Sequence, residues 1–118
     1  MPRQVLPVTQ SVINTFLNIE ALPLVPVPAD GCIVDAGISE HVMLVVTQTD
    51  AAAHEIYILA QDGLTKALKY DVGANTGAAS LLFDTVNYEI MSGTDKGKIY
   101  IDFEVGFVGT ICAVGTLK

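Results

Sequence analysis

"KIYIDFEV", from Lys98 to Val105, is the stretch that decides the fold. Ile99, Ile101, Phe103 and Val105 alternate with Lys98, Tyr100, Asp102 and Glu104. A two-residue period sends the first set to one side of an extended chain and the second to the other. That is the pattern of a strand with one buried and one wetted face. "SGTDKG" before it supplies turn residues, and "GFVG" after it makes a bend into a last strand at Thr110–Val114.

The same signals recur towards the N-terminus. "VMLVVTQ" (Val42–Gln48) and "EIYILA" (Glu55–Ala60) are short strand-like runs, and "TDAAAH" between them reads as a hairpin connection. "QDG" (Gln61–Gly63) closes the second run with turn chemistry. Ala67–Val72 follows as a strand, then the loop "GANTGAAS", then further strands at Leu81–Phe83 and Val86–Met91. No helical stripe persists for three turns beyond Asp30. About seven or eight short strands, with turns every ten residues or so, predict an all-β fold. That pattern suits a sandwich, a jelly roll or a small barrel, and the expected architecture is a single-domain antiparallel β-sandwich, jelly-roll-like.

The composition changes near residue 30. All five prolines (Pro2, Pro7, Pro23, Pro26, Pro28) precede it, and within residues 1–29 only Arg3 and Glu20 are charged. Proline fixes φ and removes a ladder donor. "PLVPVPADG" (Pro23–Gly31) is therefore expected to run as an extended, polyproline-like ribbon. "SVINTFLNIEAL" (Ser11–Leu22) reads either as a short helix capped by Ser11 or as a strand; its β-branched alternation at Ile13, Thr15, Leu17 and Ile19 favours the strand. Residues 1–29 thus form a Pro-rich extended arm or edge strands, and residues 30–118 form the sandwich. An arm of this kind lays apolar side chains in a partner's grooves and offers backbone groups to a sheet edge. Its interface residues are expected to be Leu24, Val25, Val27 and Phe16.

At 118 residues the chain has room for one domain. It is 51% hydrophobic, its mean hydropathy is +0.49, and 16% of its residues are charged against about a quarter in average domains. No apolar run reaches the roughly 18 residues of a membrane helix, and Met1-Pro2-Arg3 does not open a signal peptide. Excess apolar surface without a membrane span implies burial against copies of the chain or against a partner. A net charge of −7 and a pI near 4.4 oppose nucleic-acid binding, which needs a basic stripe.

Residues with catalytic potential form no motif. Cys32 and Cys112 lie in apolar stretches without metal-type spacing, so buried free thiols are expected. His41 and His54 are the only histidines, and "HEIYI" is not a zinc helix. Ser11, Ser39, Ser80 and Ser92 occupy no nucleophile elbow, and "GANTGAAS" lacks the lysine of a phosphate loop. Asp102 and Glu104 share a strand face with Cα atoms about 6.6 Å apart. Their neighbours Lys98 and Tyr100 mark that face as solvated rather than catalytic. No catalytic, cofactor-binding or metal-ligating residue, and no cofactor, is expected. A carbohydrate-binding module is the alternative reading. It is weakened by the absence of Trp, the best sugar platform, and leaves Phe16 and Tyr70 as its aromatic candidates.

"VMLVVTQTDAAAHEIYILAQDG" joins an apolar strand, a small-residue turn, a β-branched strand and Ala-x-Asp-Gly. "FDTVNYEIMSGTDKGKIYIDFEVGFVGTICAV" adds Ile-x-Ile-Asp-Phe and a closing Gly-Thr-Ile-x-Ala. Together, over Val42–Val114, these resemble the small capsid decoration, or cement, proteins of tailed bacteriophages. Asn87 stands where that pattern has arginine, and Gln48 where it has asparagine. The resemblance implies a jelly-roll-type structural protein on the outside of the virion, made in the host cytoplasm. It would clamp neighbouring copies of the major capsid protein, as a homotrimer, with no enzymatic activity.

Overall fold

The computed structural model describes residues 3–10, 24–35, 39–74 and 79–117. Among these run nine strands: β1 (Gln4–Leu6), β2 (Val8–Gln10), β3 (Cys32–Asp35), β4 (Ser39–Gln48), β5 (His54–Leu59), β6 (Lys66–Val72), β7 (Ala79–Asp84), β8 (Lys98–Phe103) and β9 (Gly109–Leu117). They make two sheets, β1-β3-β8-β5-β6 and β2-β9-β4-β7, packed as a sandwich. All pairings are antiparallel except β1 with β3 and β2 with β9. From β3 onward the chain passes between sheets at each step but one, the β5–β6 hairpin. Neighbours within a sheet are therefore distant in sequence, and the interleaving is jelly-roll-like.

The alternation in β8 carries through to the packing. Ile99, Ile101 and Phe103 are buried, while Lys98, Tyr100 and Asp102 are half-exposed on the outer side. In β4 the inner positions Val42, Leu44 and Val46 face the same core, and the outer positions His41, Met43, Val45 and Thr47 are half-exposed. Core partners come from both sheets, including Val34, Ile56, Ile58, Phe83 and Ile111. Burying each such side chain contributes about 1.5–3 kcal/mol relative to exposure. The fold therefore rests on this shared layer rather than on any single strand.

Three local expectations change. "TDAAAH" is not a hairpin: β4 and β5 belong to different sheets, and residues 49–53 carry the chain across the sandwich. A short apolar run reads the same whether it packs across a core or pairs edge to edge, and β5 buries Ile56, Tyr57, Ile58 and Leu59 in succession. The true hairpin joins β5 to β6 through "QDG", closed by Gly63 N–H to Ala60 C=O at 2.8 Å and Ala60 N–H to Thr65 C=O at 2.7 Å. Val86–Met91 is not a strand; a 3-10 turn at Thr85–Asn87 begins there. Asp84 caps it by accepting from the Val86 amide at 3.1 Å. Thr85 and Ile90 are buried, so the apolar spacing reflects a turn folded onto the core. Val105 does not continue the inner row. β8 ends at Phe103, the chain turns at Gly106 with φ +99°, and Val105 is 88% exposed.

The N-terminal residues join both sheets. β1 lies beside β3 and β2 beside β9, with Pro7 between them where no ladder donor is needed. Leu6 is in the core and Pro26 is buried. Leu24 exchanges two 2.8 Å backbone hydrogen bonds with Ile111. The described part of residues 1–29 thus supplies edge strands and a ribbon along β9. Ser11–Leu22, and Phe16 within it, lie outside the described residues.

Candidate interaction surface

One end of the sandwich gathers the chain segments that follow β4 and β8 and precede β3, β5 and β9. The register Gln48↔Gly109 brings residues 49–53 and 104–108 together, and Thr49 N–H donates to Val108 C=O at 2.8 Å. Running antiparallel to β9 from the Leu24↔Ile111 bridge, residues 25–31 reach the same end. Val27 C=O accepts from both Asp30 N–H and Gly31 N–H, which makes the turn back into β3. Most exposed side chains here are apolar: Val25, Val27, Val105, Val108 and Ala51–Ala53, with Thr49 among them.

Two carboxylates of this end, Asp50 and Glu104, are engaged. His54, at the first position of β5, sits between Asp50 (Nε2 to Oδ2, 2.6 Å) and Glu104 (Nδ1 to Oε1, 3.1 Å). The other Glu104 oxygen accepts from the Glu55 amide at 3.1 Å, and Glu104 N–H donates to Glu55 C=O at 2.9 Å. Gly106 makes room for the ring, since a Cβ there would lie 2.9 Å from His54 Cε1. The hydrogen bonds to Asp50 and then to Glu104 raise the His54 pKa above its ordinary 6.5. Reciprocally, the His54 bond is the main cause lowering both Asp50 and Glu104. A protonated His54 leaves this cluster with one negative charge instead of two.

The rest of the exterior differs. On the outer face of the first sheet, Arg3 pairs with Asp102 at 2.6 Å, donates to Ile101 C=O at 3.1 Å and lies 4.3 Å over the Tyr100 ring. Lys66 Nζ stands 4.0 Å over Tyr57. Tyr100 bonds Asp95, which raises the phenol's pKa. At the opposite end Leu64, Val86 and Met91 are exposed among Asp62, Asp84 and Glu89. Asp62 there serves its own loop, accepting from the Leu64 and Thr65 amides, which lower its pKa.

The expected interface residues are placed unequally. Val25 is 68% exposed and Val27 is exposed beside it, whereas Leu24 is half-buried and packs against the core. Tyr70, the aromatic considered for sugar binding, also packs against the core. Asp102 and Glu104 turn to different cations, Arg3 and His54. Sequence reasoning missed the His54 cluster, because Glu104 lies 50 positions away and "TDAAAH" looked like a turn. The four-residue spacing of Asp50 and His54 was its one local trace. Among the described residues no group of three or more His, Cys, Asp or Glu side chains is arranged to hold a metal ion. Cys32 and Cys112 are free and buried, and burial pushes the Cys32 thiol up to about 11. No protein-family model, curated protein or solved structure matches the chain.

Proposed function

We propose that the chain is a structural, non-enzymatic protein that binds the exterior of a phage capsid and bridges its major capsid subunits, acting as a homotrimer. Its docking surface is the end of the sandwich bearing Val25, Val27, Val105 and Val108. The observation that carries this reading is the combination found there: exposed valines on joined loops, with Asp50 and Glu104 turned inward to His54. Apolar groups rimmed by satisfied polar ones are what a partner can cover without stranding a charge. Each valine moved from water into a partner's groove contributes about 1.5 kcal/mol or more. Attachment to several shell subunits at once then turns modest contacts into tight binding.

Co-sedimentation with mature and expanded tailed-phage heads tests the reading. The native chain is expected to pellet with heads, the Val25→Asp/Val105→Asp variant to stay in the supernatant with unchanged melting temperature, and Leu64→Asp at the opposite end to pellet normally. A native chain that stays in solution, or an aspartate variant that pellets as well as the native chain, overturns it.

A further inference from the structure

We propose that His54 is a protonation latch that ties the 49–53 loop to the 104–108 turn and sets the arrangement of the valines they carry. The carboxylates on either side of the ring are acceptors when ionised, so both contacts are hydrogen bonds only when both ring nitrogens carry protons. The geometry is therefore that of an imidazolium. Its side chain is only 11% exposed, so water does not readily replace a lost partner. Glu55 follows His54 in β5, and β6 places Val72 opposite His54 and Asp71 opposite Glu55. The charged groups in contact with the ring are Asp50 and Glu104, and the nearest charged positions on its own strand and the adjacent strand, Glu55 and Asp71, are acidic too.

Loss of one ring proton removes the His54 donor from either Asp50 or Glu104 and leaves the two carboxylates repelling one another with no cation between them. The 49–53 loop and the 104–108 turn then lose this side-chain tie, so the turn carrying Val105 loosens while Thr49 N–H still holds Val108 C=O. The sign follows from the directions of the shifts. His54 is raised above 6.5, so its stabilisation is complete below 6.5 and is lost as pH rises through the raised value. Asp50 and Glu104 are lowered from 3.8 and 4.5, so their share is present above those values and is lost as pH falls through the lowered ones. The latch is closed in mild acid and opens towards alkaline pH. Its consequence for docking rests on the reading of this end as the capsid-facing surface; the latch itself does not.

Amide hydrogen exchange at residues 104–109, corrected for intrinsic rates, reads the latch directly between pH 5 and pH 9. In the native chain protection should fall with rising pH by up to about tenfold per unit, the limit for one linked proton. His41→Gln, at the far end of β4, should keep that fall. His54→Gln should abolish it, with low protection throughout. Asp50→Asn retains the ring and removes one carboxylate, so it should move the midpoint to lower pH. A flat native profile, a fall that survives His54→Gln, or an unmoved midpoint in Asp50→Asn overturns the latch. Co-sedimentation with heads is scored separately, so failure of docking and failure of the latch are told apart.

Discussion

Leu6→Ala, set against Val5→Ala, tests whether the N-terminal strand belongs to the core. The two residues are adjacent in β1, yet Leu6 is 1% exposed and Val5 is 69% exposed. Leu6 lies in register with Val34 of β3 and joins the cluster between the sheets. Truncating a buried leucine removes its transfer free energy and leaves a cavity, at a typical cost of 2–5 kcal/mol. An edge strand can relax inward more than a central one, so about 3 kcal/mol is expected here. Val5→Ala should stay within about 0.5 kcal/mol, as exposed substitutions usually do. For a chain of this length 3 kcal/mol lowers Tm by about 10 °C or more. Urea unfolding followed by far-ultraviolet circular dichroism measures both variants, and the m-value should be unchanged. Equal losses in the two variants, or less than about 1 kcal/mol for Leu6→Ala, would refute the placement of β1. They would make residues 3–10 a detachable arm.

Two further outcomes follow from single sites. Gly31 has φ +71°, and a Cβ there would meet Arg3 Nη1 at 2.5 Å and Ile101 O at 2.8 Å. Gly31→Ala should cost about 1–3 kcal/mol in chemical denaturation and weaken the Arg3–Asp102 pair; a neutral substitution would contradict this turn. Cys32 and Cys112 are both buried, with thiol pKa values raised by desolvation. Both should react with an aromatic disulfide reagent only as fast as the protein unfolds, and rapid labelling of the native chain at neutral pH would contradict their burial.

The strands were legible wherever one face is buried and the other wet. Lys98–Phe103 and Lys66–Val72 keep that period, and so does β4, whose inner and outer rows alternate without a break from His41 to Gln48. What a local pattern does not carry is the identity of the partner strand. Val42–Gln48 and Glu55–Ala60 look alike whether they pair or pack across a core, so their assignment to separate sheets was illegible. Val105 was misplaced for a similar reason. The apolar period continues to Val105, two residues past Phe103, but after Glu104, whose side chain bonds His54 and the Glu55 amide, the chain turns at Gly106. The exposed valines could be guessed in part from Val25 and Val27, which sit among prolines. That they share an end with Val105 and Val108 depends on the Leu24–Ile111 and Thr49–Val108 bonds, which join residues far apart in the chain.

Those bonds also bear on how such a domain meets its neighbours. An open sheet edge invites a strand from another chain, and natural edges are blunted by proline, charge or cover. At one margin, β1 and β2 are separated by Pro7, and Gln4 Oε1 accepts from the Val27 amide at 2.6 Å, so the ribbon lies alongside the edge. At the other margin, β6 carries Lys66, Lys69 and Asp71 on exposed positions. The outer face of the first sheet is occupied by the Arg3–Tyr100 and Lys66–Tyr57 pairs, each of which would have to be desolvated or broken to make a flat contact. At the His54 end, exposed valines lie beside a cluster in which protonated His54 offsets one of the two carboxylate charges of Asp50 and Glu104. A partner covering Val25, Val105 and Val108 would meet one uncompensated negative charge of that cluster, whereas strand addition at the β1/β2 margin would have to displace the Val27–Gln4 bond first. At that margin the covering ribbon favours end-on docking over edge pairing.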